Sequence, residues 1–399
     1  MVLNPFYVYN LSFSFVIIIY LLGWSELFPK LSIGTILFFI STILLNLLLG
    51  RLFNRRIKIV EKNDLTNSKI YTLITLMVIC GYILEFVITK NIPLLSVVLS
   101  IPNNYKDFGV PVFHVLLLTF NCFYATYIFQ VYLANKSKKY LIEFILLSSL
   151  PLLIFNRGAF LFIVVSCTFI FLIKRNKRIS KSLLIKLLLL IFTFSILFGV
   201  LGNLRLNNSV SHIVKVDKFS TELFLDIGGA NEEFRNSIIP KPLFWVYIYT
   251  ASPLANFQKT INESSTKSFE INEIDNFFIS EVLIDSIGKR LIESYNLPEE
   301  KISQIAPSLT VGTVYAKSFI YLNWLGPVLI YILFILFVFS MTTFLKNNTF
   351  TLTGLSLLNT LAIFNTFDNM FSFTGFSFQF FYFVMFSLFF KVKRKEGSF

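Results

Sequence analysis

The sequence predicts an all-α polytopic membrane protein of about ten transmembrane helices, with one long loop on the outer side. Three observations carry that expectation. Of 399 residues, 55% are hydrophobic and only 14% are charged, with a mean hydropathy of +0.72; an ordinary soluble domain has about 25% charged residues. Apolar runs of roughly bilayer-crossing length recur along the chain. Lys and Arg concentrate in alternate loops, as positive-inside topology requires.

The predicted spans fall near residues 6–24, 31–50, 70–89, 110–133, 140–155, 158–173, 183–202, 325–345, 351–367 and 371–390. The first has no basic leader and no small-residue cleavage site, so it is expected to stay as a helix. The fifth and sixth are separated only by Phe155-Asn156-Arg157-Gly158. One helix across both would be too long for a bilayer, so a tight helical hairpin is expected there. The loop after span two carries Arg51, Arg55, Arg56, Lys58, Lys62 and Lys69. Placed inside, that loop and the others on its side hold 20 Lys/Arg against four Asp/Glu, and both termini fall on the same side. The outer side holds the remaining 15 Lys/Arg and 18 Asp/Glu. The net charge of +13 therefore reports topology and attraction to anionic lipid, not nucleic acid.

This divides the chain into 1–202 with seven spans, an outer segment 203–312, and 313–399 with three spans and a cytoplasmic tail. The outer segment contains ten Lys/Arg and fourteen Asp/Glu. A loop of that length without structure is unusual. Between Glu273 and Leu297, the residues Phe277, Phe278, Val282, Leu283, Ile287, Leu291 and Tyr295 recur at roughly helical spacing, predicting an amphipathic helix on the membrane or the bundle. A second short one is expected from Pro93 to Ile101.

Several chemistries are disfavoured. Cys80, Cys122 and Cys167 all lie in apolar runs, which argues against a disulfide framework or a Cys-based metal site. Two histidines, His114 and His212, cannot make a His-rich centre, and no metal or cofactor is expected. No nucleotide-binding P-loop sequence occurs. Arg157 is the most informative residue. Charge between two very apolar helices is costly, at least about 2.5–3.5 kcal/mol at a span centre, and such residues are usually functional. Gly158 permits close approach to the backbone, Asn156 accompanies it, and the following helix N-terminus favours an anion. These residues suit a phosphate at the membrane surface; the plainer account is an Arg reaching the headgroups. Arg205, at the exit of span seven, either reaches the same phosphate or contacts lipid.

His212, Asp226, Glu232, Glu233 and Arg235 lie early in the outer segment. A carboxylate or His there would serve as a base, although each alone reads as a solvated loop residue. Lys289 and Arg290 either bind lipid phosphate or form a solvated helix face. His114 reads as structural, Glu85 as paired or reaching the interface, and Asp368 as a turn former. The stretch from Tyr247 to Asn256, with Tyr249 and Ser252, either lines a saccharide cleft or is a helix end packed on the bundle.

In this order the pieces resemble Wzy-type oligosaccharide repeat-unit polymerases, the membrane enzymes of O-antigen and capsule assembly. The resemblance is carried by Asn156-Arg157-Gly158-Ala159, Gly202-Asn203-Leu204-Arg205, Tyr249-x-x-Ser252-Pro253, Ala306-Pro307-Ser308-Leu309-Thr310 and Tyr321-Leu322-Asn323-Trp324-Leu325-Gly326-Pro327. At the last, family members often carry an acid where Asn323 stands, so no catalytic role follows there. The resemblance implies a GT-C-like fold and a glycosyltransferase using undecaprenyl-diphosphate-linked oligosaccharides at the outer face of the bacterial inner membrane. It implies a flippase and a chain-length regulator as partners. Joined to the placement read above, this gives the expectation that Arg157 and Arg205 clamp the diphosphate, that a loop carboxylate or His such as Glu232 or His212 orients the acceptor hydroxyl, and that Asn156, Gly158, Tyr249, Ser252, Arg290 and Tyr321 lie around the substrate.

Two alternatives share this topology: an O-antigen ligase, which His212 keeps open, and a flippase for lipid-linked oligosaccharide. A flippase is expected to carry charges along a central path, and these spans hold few. A membrane acyltransferase is disfavoured because the sequence displays no His–Asp type pair at a span end.

Overall fold

The computed structural model describes residues 3–56, 68–99, 108–175, 181–210, 217–264, 272–298, 300–346 and 348–396. These form seventeen α-helices and no named strand among the described residues; the one β-bridge joins Ser25 and Ala230. A helix lies over each predicted apolar run. The helices are α1 (Pro5–Tyr20), α2 (Ile33–Arg56), α3 (Ser68–Thr89), a short α4 (Pro93–Val98), α5 (Phe113–Asn135), α6 (Lys138–Leu153), α7 (Arg157–Arg175) and α8 (Lys181–Val210). After the outer segment come α15 (Leu325–Leu345), α16 (Thr351–Phe364) and α17 (Thr374–Glu396). Some bounds differ from expectation: α1 stops at Tyr20 rather than 24, α16 at Phe364 rather than 367, and α17 starts at Thr374 rather than 371.

Five helices, α2, α3, α5, α7 and α15, are long and apolar enough to cross a membrane among the described residues. Others, such as α1 and α16, are apolar but shorter. The surface agrees with a lipid solvent. Ile33, Leu37, Leu44 and Leu48 on α2, with Leu73, Met77, Val87 and Ile88 on α3, are exposed. A contiguous apolar face of that size is rare on a water-soluble monomer.

The core centres on α16, which packs against α1, α5, α7, α15 and α17. Nearly every residue from Thr351 to Ala362 is buried, so both polar and apolar groups need partners inside the bundle. Gln130 of α5 accepts from the Thr353 amide (3.0 Å) and hydroxyl (2.8 Å), and donates to the Thr349 carbonyl (2.7 Å). Ser166 of α7 shares a 2.8 Å hydrogen bond with Thr360.

The outer segment departs most from expectation. Span seven does not end near residue 202: α8 continues to Val210, so Arg205 sits within a helix. The segment then forms α9 (Glu222–Ile227), α10 (Glu232–Asn236) and α11 (Leu243–Ser264). The helix α11 is 22 residues long and packs against α1, α8 and α14 (Ala316–Leu322). Its close seat on α8 uses Gly199 and Gly202, where an added Cβ would lie 2.1 Å from the Pro242 carbonyl and 2.7 Å from the Trp245 ring. Asn203 then accepts from the Trp245 indole N–H at 2.6 Å. The single amphipathic helix expected over 273–297 is broken into α12 (Asn272–Phe277), a π-helical turn Phe278–Val282, and α13 (Asp285–Tyr295).

Candidate functional site

The α6–α7 hairpin forms where expected. Phe155, with φ +60°, makes the left-handed turn, and the Asn156 side chain accepts the Ala159 amide at 3.0 Å to cap α7. Arg157 is therefore the first residue of α7. It is exposed, its guanidinium lies over the Phe155 ring at 4.6 Å, and it has no ion-pair partner among the described residues. Gly158 is open: an added Cβ would meet only the Asn156 Oδ1, at 3.6 Å. An unpaired cation at a helix N-terminus is a ready anion site.

Arg205 is exposed on α8, about two turns beyond Phe198, which contacts Tyr249 edge-on at 5.4 Å. The two arginines belong to different neighbourhoods, since α7 packs on α5, α6 and α16 whereas α8 packs on α11. Ser252 is buried within α11 and does not line an open cleft, so the helix-packing account of 247–256 is the one observed. Glu232 is exposed in the first turn of α10. Asp226 and Glu222 pair with Arg235 at 2.6 and 3.3 Å. Arg290 is exposed on α13, next to Lys289, which faces Asp285 at 3.7 Å. His212 lies outside the described residues.

The structure instead brings together a cavity of about 300 Å³ at the end of the bundle where the outer segment lies. Its walls come from the π-helical turn, α13, the 300–317 stretch and the turn between α16 and α17. It is densely charged, with Glu281, Asp285, Glu300 and Asp368 facing Lys289, Lys301 and Lys317. Phe373 lines it and contacts Phe162 of α7 at 6.2 Å between ring centres. That contact ties the Arg157 helix to this wall.

Each wall is fixed by specific bonds. On α11, Asn256 donates to the Leu309 and Val311 carbonyls (2.6 and 2.8 Å) and accepts the Ile305 amide (2.8 Å). This pins the stretch that leads into α14 and Lys317. The π-helical turn widens the helix and directs Glu281 inward, an arrangement frequent at functional sites. Tyr321 is buried, and its hydroxyl donates to Ser280 at 3.1 Å, so it braces this turn from behind. Asn369 donates to both the Glu281 carbonyl (2.8 Å) and its Oε2 (3.0 Å). Asp285 accepts from the Thr374 amide at 3.0 Å and from its hydroxyl, fastening α13 to the start of α17.

Glu281 is buried, 1% exposed, and burial pushes its carboxyl up to about 7, against the opposing pull of Lys317 and the Asn369 bond. Asp368 is raised for the same reason. Two carboxyls beside an ammonium, one poised near neutrality, suit proton transfer to and from a bound hydroxyl. The sign for stability follows from linkage. A folded-state value above the unfolded one means stability present below about pH 4.5 and lost as pH rises through about 7. Glu281→Gln is therefore expected to melt higher than wild type above pH 7, and an unchanged melting profile in detergent would count against this burial.

Sequence reasoning passed over Glu281 and Lys317; it singled out the Asp368-Asn369 turn as one of three outer polar clusters but read Asp368 as a turn former. A signal existed: Glu281 and Lys317 are single charges within Phe277–Ile284 and Val314–Ile320, both otherwise nearly apolar. Of the two readings of Glu85, the paired one is observed, with His114 as the partner that the sequence did not name. His114 Nδ1 lies 2.9 Å from Glu85, which also accepts the Val110 amide at 3.1 Å. Groups of three or more metal-ligating side chains do not occur among the described residues. Comparison of the chain with family models, curated proteins and solved structures gave no match.

Proposed function

We propose that the chain is a polysaccharide polymerase, a glycosyltransferase joining undecaprenyl-diphosphate-linked oligosaccharide units into O-antigen or capsular polymer at the outer face of the bacterial inner membrane. The charged cavity beneath the outer segment is the observation that carries the reading. In this reading ten helices span the membrane in a GT-C-like arrangement, and both termini are cytoplasmic. The charge partition then assigns the cavity, Arg157 and Arg205 to one side. The donor brings its own leaving group, so no nucleotide is needed.

Arg157, the cation at the start of α7 that is unpaired among the described residues, holds the diphosphate; Arg205, on α8 in a different neighbourhood, contacts lipid headgroups. Bidentate guanidinium hydrogen bonds fit phosphate oxygens, and preorganised cations stabilise the charge that develops as the diphosphate departs. A second cavity, apolar and about 840 Å³, lies between α1 and α2 with Lys30 among its lining residues. A groove of that kind suits the chain of a lipid-borne substrate. A flippase and a chain-length regulator are the expected partners.

Deleting the gene in its host, then resolving surface and lipid-linked glycans on a gel, tests this. A polymerase gives loss of the ladder while single repeat units still reach the surface. Lipid-linked polymer accumulating without surface sugar would instead mean a ligase. Single units held on the cytoplasmic leaflet would mean a flippase.

A further inference from the structure

We infer that Glu281 takes the proton from the acceptor hydroxyl and that Lys317 meets the departing diphosphate, an assignment that rests on the transferase reading above. The acceptor oxygen forms the new bond to the donor's anomeric carbon. The bond from that carbon to the phosphate oxygen breaks, and its electron pair leaves with the diphosphate. The acceptor proton passes to the Glu281 carboxylate.

The geometry favours Glu281 over Asp285, Asp368, Glu222 and Asp226. Asp285 is committed to Thr374 and faces Lys289. Asp368 accepts its neighbour's amide at 2.8 Å in the turn. Glu222 and Asp226 are paired with Arg235 away from the cavity. The Glu281 carboxylate lines the cavity and is held on one oxygen, Oε2, by Asn369. Oε1 receives no hydrogen bond among the described residues, which leaves it to an incoming hydroxyl.

Lys317 complements it. It lines the same cavity, is half-buried on α14, and has no hydrogen bond or ion pair within 4.0 Å among the described residues. A cation with no direct hydrogen bond or ion pair inside a charged cavity is suited to an anion supplied from outside. Its field also favours the ionised form of Glu281, so one residue both activates the base and receives the leaving group. Asn369 acts through Glu281 and is a positioning residue.

The test uses the full-length protein in nanodiscs, given the lipid-linked oligosaccharide that accumulates in the deletion strain. Wild type should elongate it, with a rate that rises with pH through about 7 and then levels. Glu281→Gln should lower the rate at least about 100-fold and abolish that limb, with partial rescue by Glu281→Asp. Lys317→Met should move the limb to higher pH and slow turnover, a displacement that a packing role alone does not give. The melting profile of Glu281→Gln reports folding independently. Wild-type activity with an unchanged rate and pH limb in Glu281→Gln would overturn the assignment alone. No elongation by wild type would overturn the polymerase reading, and this assignment with it.

Discussion

Replacing Arg157 with Ala should abolish long-chain polymer while leaving the protein folded in the membrane. Both halves of that expectation follow from its setting. The guanidinium is exposed at the start of α7, stacked on Phe155 and without an acidic partner among the described residues. Truncation therefore orphans no buried group, and a surface change of this kind shifts stability by only about 0.5 kcal/mol. Losing one preorganised donor to transition-state charge costs about 100- to 1000-fold in rate. Over many successive additions such a loss leaves short products only. Arg157→Lys retains the charge but not the planar fork, so it should fall between the two. Gel analysis of the ladder beside a detergent melting curve separates rate from folding. A normal ladder from Arg157→Ala would remove Arg157 from the proposed diphosphate site.

What could be read from the sequence divides along a physical line. Membrane helices answer to a local rule, because an apolar stretch must hide its own backbone polarity in helix. The runs and the 155–158 hairpin were legible for that reason; of the short helix expected over Pro93–Ile101, Pro93–Val98 is seen and Ile101 lies outside the described residues. The outer segment answers to packing between distant residues. Gly199 and Gly202 invite α11 close, and Trp245 reaches back 42 positions to Asn203, which no local period displays. The cavity is of the second kind. Glu281 and Asn369 are 88 residues apart and meet where the start of α13 docks on the turn before α17. A π-helical turn also breaks the helical spacing at the position where Glu281 turns inward, so regular periodicity concealed it.

Replacing Glu85 with Ala should produce the largest loss of stability, and it decides what the second acidic site is for. Glu85 is fully buried near the end of α3, and its carboxylate holds His114 Nδ1 at 2.9 Å and the Val110 amide at 3.1 Å. The ring is enclosed further by Phe108, edge-on at 5.5 Å, and by Gly109. Gly109 has φ +111°, and an added Cβ would stand 2.4 Å from the His114 Cγ. Everything around the imidazole thus fastens the chain entering α5 onto α3. Removing the carboxylate leaves two half-buried donors short of a partner, each near the low end of the about 1–3 kcal/mol that a buried one costs, so the expected loss is about 2 kcal/mol. A melting curve in detergent should show it, and His114→Ala should cost less once Glu85 is gone, the coupling expected of groups in contact. Elongation by the surviving folded fraction should match wild type, because neither residue lines the charged cavity. The opposite pattern, full stability with activity lost, would mean that the Glu-oriented imidazole works as a base through Nε2. It would then compete with Glu281 for the acceptor proton and restore acyl transfer as a reading of this chain.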